Sequence, residues 1–143
     1  MIEWTSWAWS LALVAATASP NGWMDDYGAA LKAAKAERKP LLVVIEDPAQ
    51  RTARFEEASL ADQRADRQLL SKYKLCRIDG TTAYGAAVAR AFRAQALPFT
   101  SIIDKTGSVQ IFVKAGPLSE TQWREALAQH QSGARPELMI CST

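Results

Sequence analysis

Cys76, Cys141 and His130 are the residues whose types most readily suggest covalent or metal chemistry. The cysteines lie far apart, and the sequence holds no second histidine. A zinc site wants four ligands in paired close spacings, which these residues do not form. Nothing around His130 suggests a Ser-His-Asp arrangement, and His130 is expected on the surface of a helix. No glycine-rich phosphate loop occurs. Cys76 falls within a short apolar run and is expected to be a buried small hydrophobe rather than a reactive thiol. Cys141 lies near the end of the sequence, where exposure is expected. If the chain is exported, Cys141 could form an intermolecular disulfide. No metal and no cofactor are expected.

The elements that must position these residues belong to a chain of 143 residues, 48% hydrophobic and 22% charged, with a formal net charge of +2. That length favours one domain with a core of its own. The balanced charge, without a clustered basic run, disfavours nucleic-acid binding. Residues 1–18 read as a signal peptide, with an apolar stretch from Trp7 and a small-x-small site at Ala16-Thr17-Ala18. The stretch is short for a membrane span, so no stable span is expected in a mature form. Glu3 and the absence of Lys or Arg before Trp7 argue the other way, towards a buried or amphipathic helix packed through Trp4, Trp7 and Trp9. Export to the periplasm or medium is the leading expectation; a cytoplasmic or N-terminally membrane-associated chain is the alternative. The remaining domain, 19–143, is expected to end in a loosely held tail beyond Gly133.

Periodicity and caps order the rest. Tyr27, Ala30, Leu31 and Ala34 predict a helix over about 25–38, with Asp25 as N-cap and Pro40 as terminator. Leu41–Ile45 is a continuous apolar run that suits a central strand covered on both faces. A broken helix is predicted over 52–73, interrupted near Ser59. A strand follows over 75–79, then a helix over 84–93 with Tyr84, Val88, Ala91 and Phe92 on its apolar side. A strand over 99–103 and one over 109–113 flank a turn at Asp104-Lys105-Thr106-Gly107. Ser119-Glu120-Thr121-Gln122 predicts a capping box, opening a helix that buries Trp123, Ala126 and Leu127. Strands separated by helices imply parallel pairing, and the tight turn implies an antiparallel hairpin. The expectation is an α/β fold: a mixed four-stranded sheet with helices on both faces and an extra N-terminal helix.

This order, with these residues, resembles the thioredoxin-like superfamily. Lys39-Pro40-Leu41-Leu42-Val43-Val44 is similar to the start of the family's first central strand, and Ile78-Asp79 to the end of its second. Ala96-Leu97-Pro98-Phe99-Thr100 resembles the segment carrying its cis-proline. Asp104-Lys105-Thr106-Gly107 resembles its hairpin turn. Gly116-Pro117-Leu118-Ser119, with Trp123 and Leu127, resembles the glycine bulge before its last helix. Trp23, Tyr27 and Ala30 are similar to the opening helix of bacterial exported members. Together the matches cover roughly residues 23–131.

The chain departs from the family where its chemistry would lie. Dithiol exchange needs a low-pKa thiolate at a helix N-terminus and a resolving thiol three positions on. The resemblance places those cysteines at Gln50 and Ala53, with Arg51 and Thr52 between them, and places the family's buried acid at Val44. An amide and a methyl group cannot replace two thiols, so dithiol oxidoreductase activity is not expected. What the resemblance leaves is a former active-site face made of Gln50, Arg51, Thr52, Ala53, Pro98 and Phe99, bordered by Asp47 and Pro48. Such a face suits an extended peptide or protein partner held through backbone hydrogen bonds. The alternatives are a thiol-disulfide oxidoreductase or single-thiol enzyme using Cys141 or Cys76, and a scaffold protein in which the fold serves only stability.

Overall fold

The computed structural model describes residues 22–50 and 64–135. The expected signal peptide, the first half of the predicted broken helix, Arg51, Thr52, Ala53 and Cys141 lie outside them. In chain order the elements are β1 (Trp23–Met24), α1 (Tyr27–Glu37), β2 (Leu41–Glu46), α2 (Arg64–Ser71), β3 (Lys74–Asp79), α3 (Ala83–Ala91), β4 (Phe99–Ile103), β5 (Gln110–Ala115) and α4 (Glu120–His130). The strands form one mixed sheet in the order β1-β3-β2-β4-β5. β1, β3 and β2 are mutually parallel, whereas β4 runs antiparallel to β2 and β5 antiparallel to β4.

The sheet therefore has five strands where four were expected. The fifth, β1, pairs only Trp23 with Leu75 and Met24 with Cys76. Two residues are too few to show an alternating pattern, so only the neighbouring strand reveals them.

Every residue of β2 is buried, as its unbroken apolar run implies. Alternation along the strands separates two cores. Leu41, Val43 and Ile45 face α1 and α3 together with Cys76, Ile78, Phe99 and Ile103. Leu42 and Val44 face the other side with Trp23, Leu70, Leu75, Ile102, Trp123 and Leu127. Each such aliphatic side chain contributes about 1.5–3 kcal/mol by leaving water. Ala30 and Ala34 bring α1 close against the first core. In the second, the buried Tyr73 hydroxyl donates to the carbonyl of Leu127.

The helix ends follow local chemistry, with small shifts. Asp26, not Asp25, caps α1, accepting from the Ala29 amide at 2.8 Å. At the other end Arg38 takes a left-handed conformation (φ 53°), and the Lys39 amide closes back onto the Ala34 carbonyl at 3.0 Å. Both halves of the Ser119–Gln122 capping box form, at 3.0 and 3.1 Å. Tyr84 and Ala91 were expected on the apolar side of α3, yet both are exposed. The Tyr84 hydroxyl instead accepts the Tyr27 amide, an orphan donor at the start of α1, at 2.9 Å. The chain beyond Gly133 is held at its start: the Lys105 amide donates to the Gly133 carbonyl and Arg135 pairs with Asp104.

Candidate functional site

Register decides which residues meet. β4 runs antiparallel to β2 with Phe99 opposite Ile45, so Leu97 and Pro98 lie at the sheet end where β2 finishes at Glu46. β3 finishes there too, with Asp79 opposite Glu46 and the Gly80 amide donating to the Glu46 carbonyl at 2.8 Å. A Cβ on Gly80 would stand 3.1 Å from a Leu97 methyl and 3.2 Å from an Ile45 methyl, so Leu97 packs across the glycine.

Asp47-Pro48-Ala49-Gln50 leads out of β2 as a turn. The Asp47 side chain accepts the Ala49 amide at 3.0 Å, and its carbonyl accepts the Gln50 amide at 3.2 Å. Asp at the first position and Pro at the second suit such a turn, because Asp hydrogen-bonds locally and Pro presets φ. Gln50 thereby stands exposed at this end of the sheet.

Of the residues expected on this face, register puts Pro98 at the sheet end from which the turn to Gln50 leads, and burial puts Phe99 in the core. The Leu97–Pro98 peptide bond is cis. Pro98 is buried, and its carbonyl accepts the Gly116 amide at 2.9 Å. Phe99 is 2% exposed, with its ring 6.1 Å from that of Phe92. The Phe99 side chain is thus core rather than contact surface. The alternation that sends Thr100 to one face sends Phe99 to the α1–α3 side.

Val44 is fully buried among Trp23, Trp123, Leu42 and Leu75. An ionised acid there would lose its hydration with no charged partner among those apolar neighbours. Two positions further along β2, the buried Glu46 carboxylate accepts a charge-assisted hydrogen bond from Arg77. Sequence reasoning missed this pair. Its signal was an acid closing an otherwise apolar strand and an Arg set between Cys76 and Ile78, but only register unites them.

Cys76 is fully buried and free. Burial first, then the charges of Asp26 and Asp25, push its thiol up to about 12. A thiolate is the nucleophile in exchange chemistry, so this sulfur is poorly suited to it. Iodoacetamide at pH 8 is expected to leave Cys76 unmodified in the native protein and to label it after unfolding. Labelling of the native protein at the rate of a free thiol, read by mass spectrometry, would contradict this.

His130 is half-buried at the end of α4, its ring 5.7 Å from that of Phe112, and burial lowers its pKa. It stays on the α4 side of the sheet, far in sequence and element from Gln50. Among the described residues there is no group of three or more His, Cys, Asp or Glu placed to hold a metal ion. No described helix is long and apolar enough to cross a membrane.

The fold recurs in solved structures. A thioredoxin from Thermus thermophilus matches with a TM-score of 0.62 at 18% identity, covering 75% of this chain and 84% of that one. The C-terminal domain of DsbD from Neisseria meningitidis, in its oxidised form, matches at 0.57 and 19% identity, covering 71% and 90%. The first thioredoxin domain of mouse protein disulfide-isomerase A4 matches at 0.57 and 13% identity, covering 86% and 85%. At these identities the likeness is one of fold. No curated protein matches the sequence. The sequence profile described as thioredoxin-like matches residues 22–105, from β1 through the end of β4 into the hairpin turn. A match over more than half of the sequence, on a sheet of this strand order, means that the chain belongs to the thioredoxin-like family.

Proposed function

We propose that this thioredoxin-like domain is redox-inactive and binds an extended peptide or protein segment at the sheet end formed by the Asp47–Gln50 turn and Leu97–Pro98. The observation that carries the reading is Val44. The position that the resemblance gives to the family's buried acid is a fully buried valine among apolar side chains. The strand that holds it leads to Gln50, where the resemblance would put the first cysteine. With neither thiol nor acid at those positions, dithiol exchange has no nucleophile, no resolving group and no proton acceptor there.

Recognition needs less. No backbone hydrogen bond within the described residues engages the Leu97 amide or carbonyl. Both groups lie at the sheet end from which the exposed Gln50 turn leads, where a peptide strand could pair with them. The related structures carry names such as thioredoxin and protein disulfide-isomerase, which makes thiol exchange the competing reading. Cys76 does not favour it, because its sulfur is buried and held protonated. An exported location fits the expected leader at 1–18 and belongs to this proposal.

Two measurements test it. The purified protein is expected to show no reduction of insulin disulfides with dithiothreitol as electron source. Turnover comparable to a thioredoxin would end the redox-inactive reading. Titration with unfolded-protein peptides is expected to shift the amide resonances of Asp47, Ala49, Gln50, Ala96 and Leu97. Shifts confined to other faces would end the binding assignment.

A further inference from the structure

The opposite end of the sheet carries a basic cleft. β2 begins there at Leu41, just after the C-terminus of α1, and β4 finishes there at Ile103 before the hairpin turn. Lys35 and Arg38 from the end of α1, with Lys105 and Thr106 from the turn, line a cleft of about 370 Å³. Among the described residues no carboxylate lines it.

Its shape depends on glycine. A Cβ on Gly107 would stand 2.7 and 2.8 Å from two carbons of the Lys35 stem, so the bare turn allows that stem to lie against it. Gly107 has a φ of 73°, the conformation the turn requires. Lys105 is held through its amide to the Gly133 carbonyl at 3.0 Å. Arg38 is held at the left-handed cap of α1. Three basic residues from two elements thus line one cleft.

The nearby acids are committed elsewhere. Glu37 pairs with Lys74 at 2.7 Å. The Asp104 carboxylate accepts from Arg135 Nε at 3.1 Å, from the amides of Ser108 and Val109, and from the Thr106 hydroxyl. That hydroxyl proton is therefore spent, and Thr106 contributes wall rather than a donor. Among the described residues no ion pair engages Lys35, Arg38 or Lys105.

We propose that this cleft binds a phosphate-type oxyanion, held by Lys35, Arg38 and Lys105. A compact polyanion answers three basic residues that line one cleft. The guanidinium supplies a planar fork for two oxygens, and the ammonium groups supply point charges that tolerate varied geometry. The volume suits a group larger than one phosphate, such as a diphosphate or a phosphate ester. Mutual repulsion of the cations is relieved on binding, so affinity is expected to fall with added salt. The same chemistry serves a soluble phosphate or an anionic lipid headgroup.

The test uses the full chain with inorganic pyrophosphate at low ionic strength, followed by calorimetry. Saturable one-site binding is expected. The triple variant Lys35→Gln, Arg38→Gln, Lys105→Gln is expected to weaken it by about tenfold or more. A charge-matched control, Lys32→Gln, Lys72→Gln, Lys114→Gln, is expected to retain it. Sedimentation with phosphatidylglycerol vesicles separates the two sources. Cleft-dependent vesicle binding assigns a headgroup, and pyrophosphate binding without it assigns a soluble phosphate. Equal loss in both triple variants, or no binding to either probe, overturns the site. Circular dichroism of each variant distinguishes lost binding from lost fold.

Discussion

Gly85→Ala is expected to destabilise the domain by about 3 kcal/mol or more, the upper range for forcing extra atoms into a packed site. A Cβ at this position would stand 1.8 Å from the Asp79 carbonyl oxygen, 2.7 Å from its carbon and 3.0 Å from Gly80 Cα. All three are backbone atoms, so no side-chain rotation relieves the contact. The segment is also bound tightly to itself. The Thr82 hydroxyl donates to that same Asp79 carbonyl at 2.9 Å and accepts the Gly85 amide at 2.9 Å. Helix propensity alone would favour alanine by about 1 kcal/mol, and the clash outweighs it. The first turn of α3 would have to move off the end of β3, beside the Glu46–Arg77 pair. For a domain of this size the loss corresponds to a melting temperature lowered by about 10 °C. Gly28→Ala is the control. There the new Cβ meets only an Asp26 side-chain oxygen at 3.4 Å, and thermal stability is expected to hold or rise slightly. Equal melting of Gly85→Ala and wild type in circular dichroism would refute the argument.

Asp104→Ala is expected to cost about 3 kcal/mol, because it leaves several donors without their acceptor at about 1–3 kcal/mol for each buried one. Asp104 is 1% exposed. Burial pushes its carboxyl up, but the Thr106 hydroxyl, the Val109 and Ser108 amides and Arg135 together hold it well below the usual carboxylate range. A carboxyl lowered in the folded state stabilises the protein above its unfolded value, about 3.9, and loses that contribution as pH falls through the folded value. The wild type is therefore expected to lose stability as pH drops below about 4. Asp104→Asn keeps one acceptor oxygen but no charge. It is expected to be less harmful than alanine at neutral pH and to flatten the acid limb of the stability curve. Denaturant midpoints for the three proteins between neutral and acidic pH measure both effects. An unchanged acid limb in Asp104→Asn would remove Asp104 from the account.

Much of the fold was legible because the signals were local. Leu41–Ile45 has no polar position to expose, so its place at the sheet centre follows from composition. The Ser119 capping box and the Gly107 turn are set by residues within a few positions of one another. The boundaries shifted where two neighbours could do the same work, as with Asp25 and Asp26. Tyr84 was misread because period marked its helical position but not the orphan amide of Tyr27 that draws its hydroxyl outward.

The candidate site was legible only in part. Gln50 and Pro98 were placed from resemblance, and β2–β4 register sets both at one end of the sheet. Phe99 could not be assigned to surface or core from its neighbours, since that depends on which face of β4 meets α1. The Glu46–Arg77 pair and the cleft of Lys35, Arg38 and Lys105 join residues from separate elements, and no short-range pattern announces them.

By itself the sequence determined the element types, the apolar strand, the caps and turns, and the absence of any C-x-x-C pair, because each depends on residues close along the chain. Only the tertiary structure decided that Trp23 and Met24 extend the sheet, that Phe99 is core, that Cys76 is sealed, and that Asp104 gathers donors from the turn and from Arg135. Those outcomes depend on register and packing between distant segments, where burial and backbone pairing select one partner among many that the chain contains.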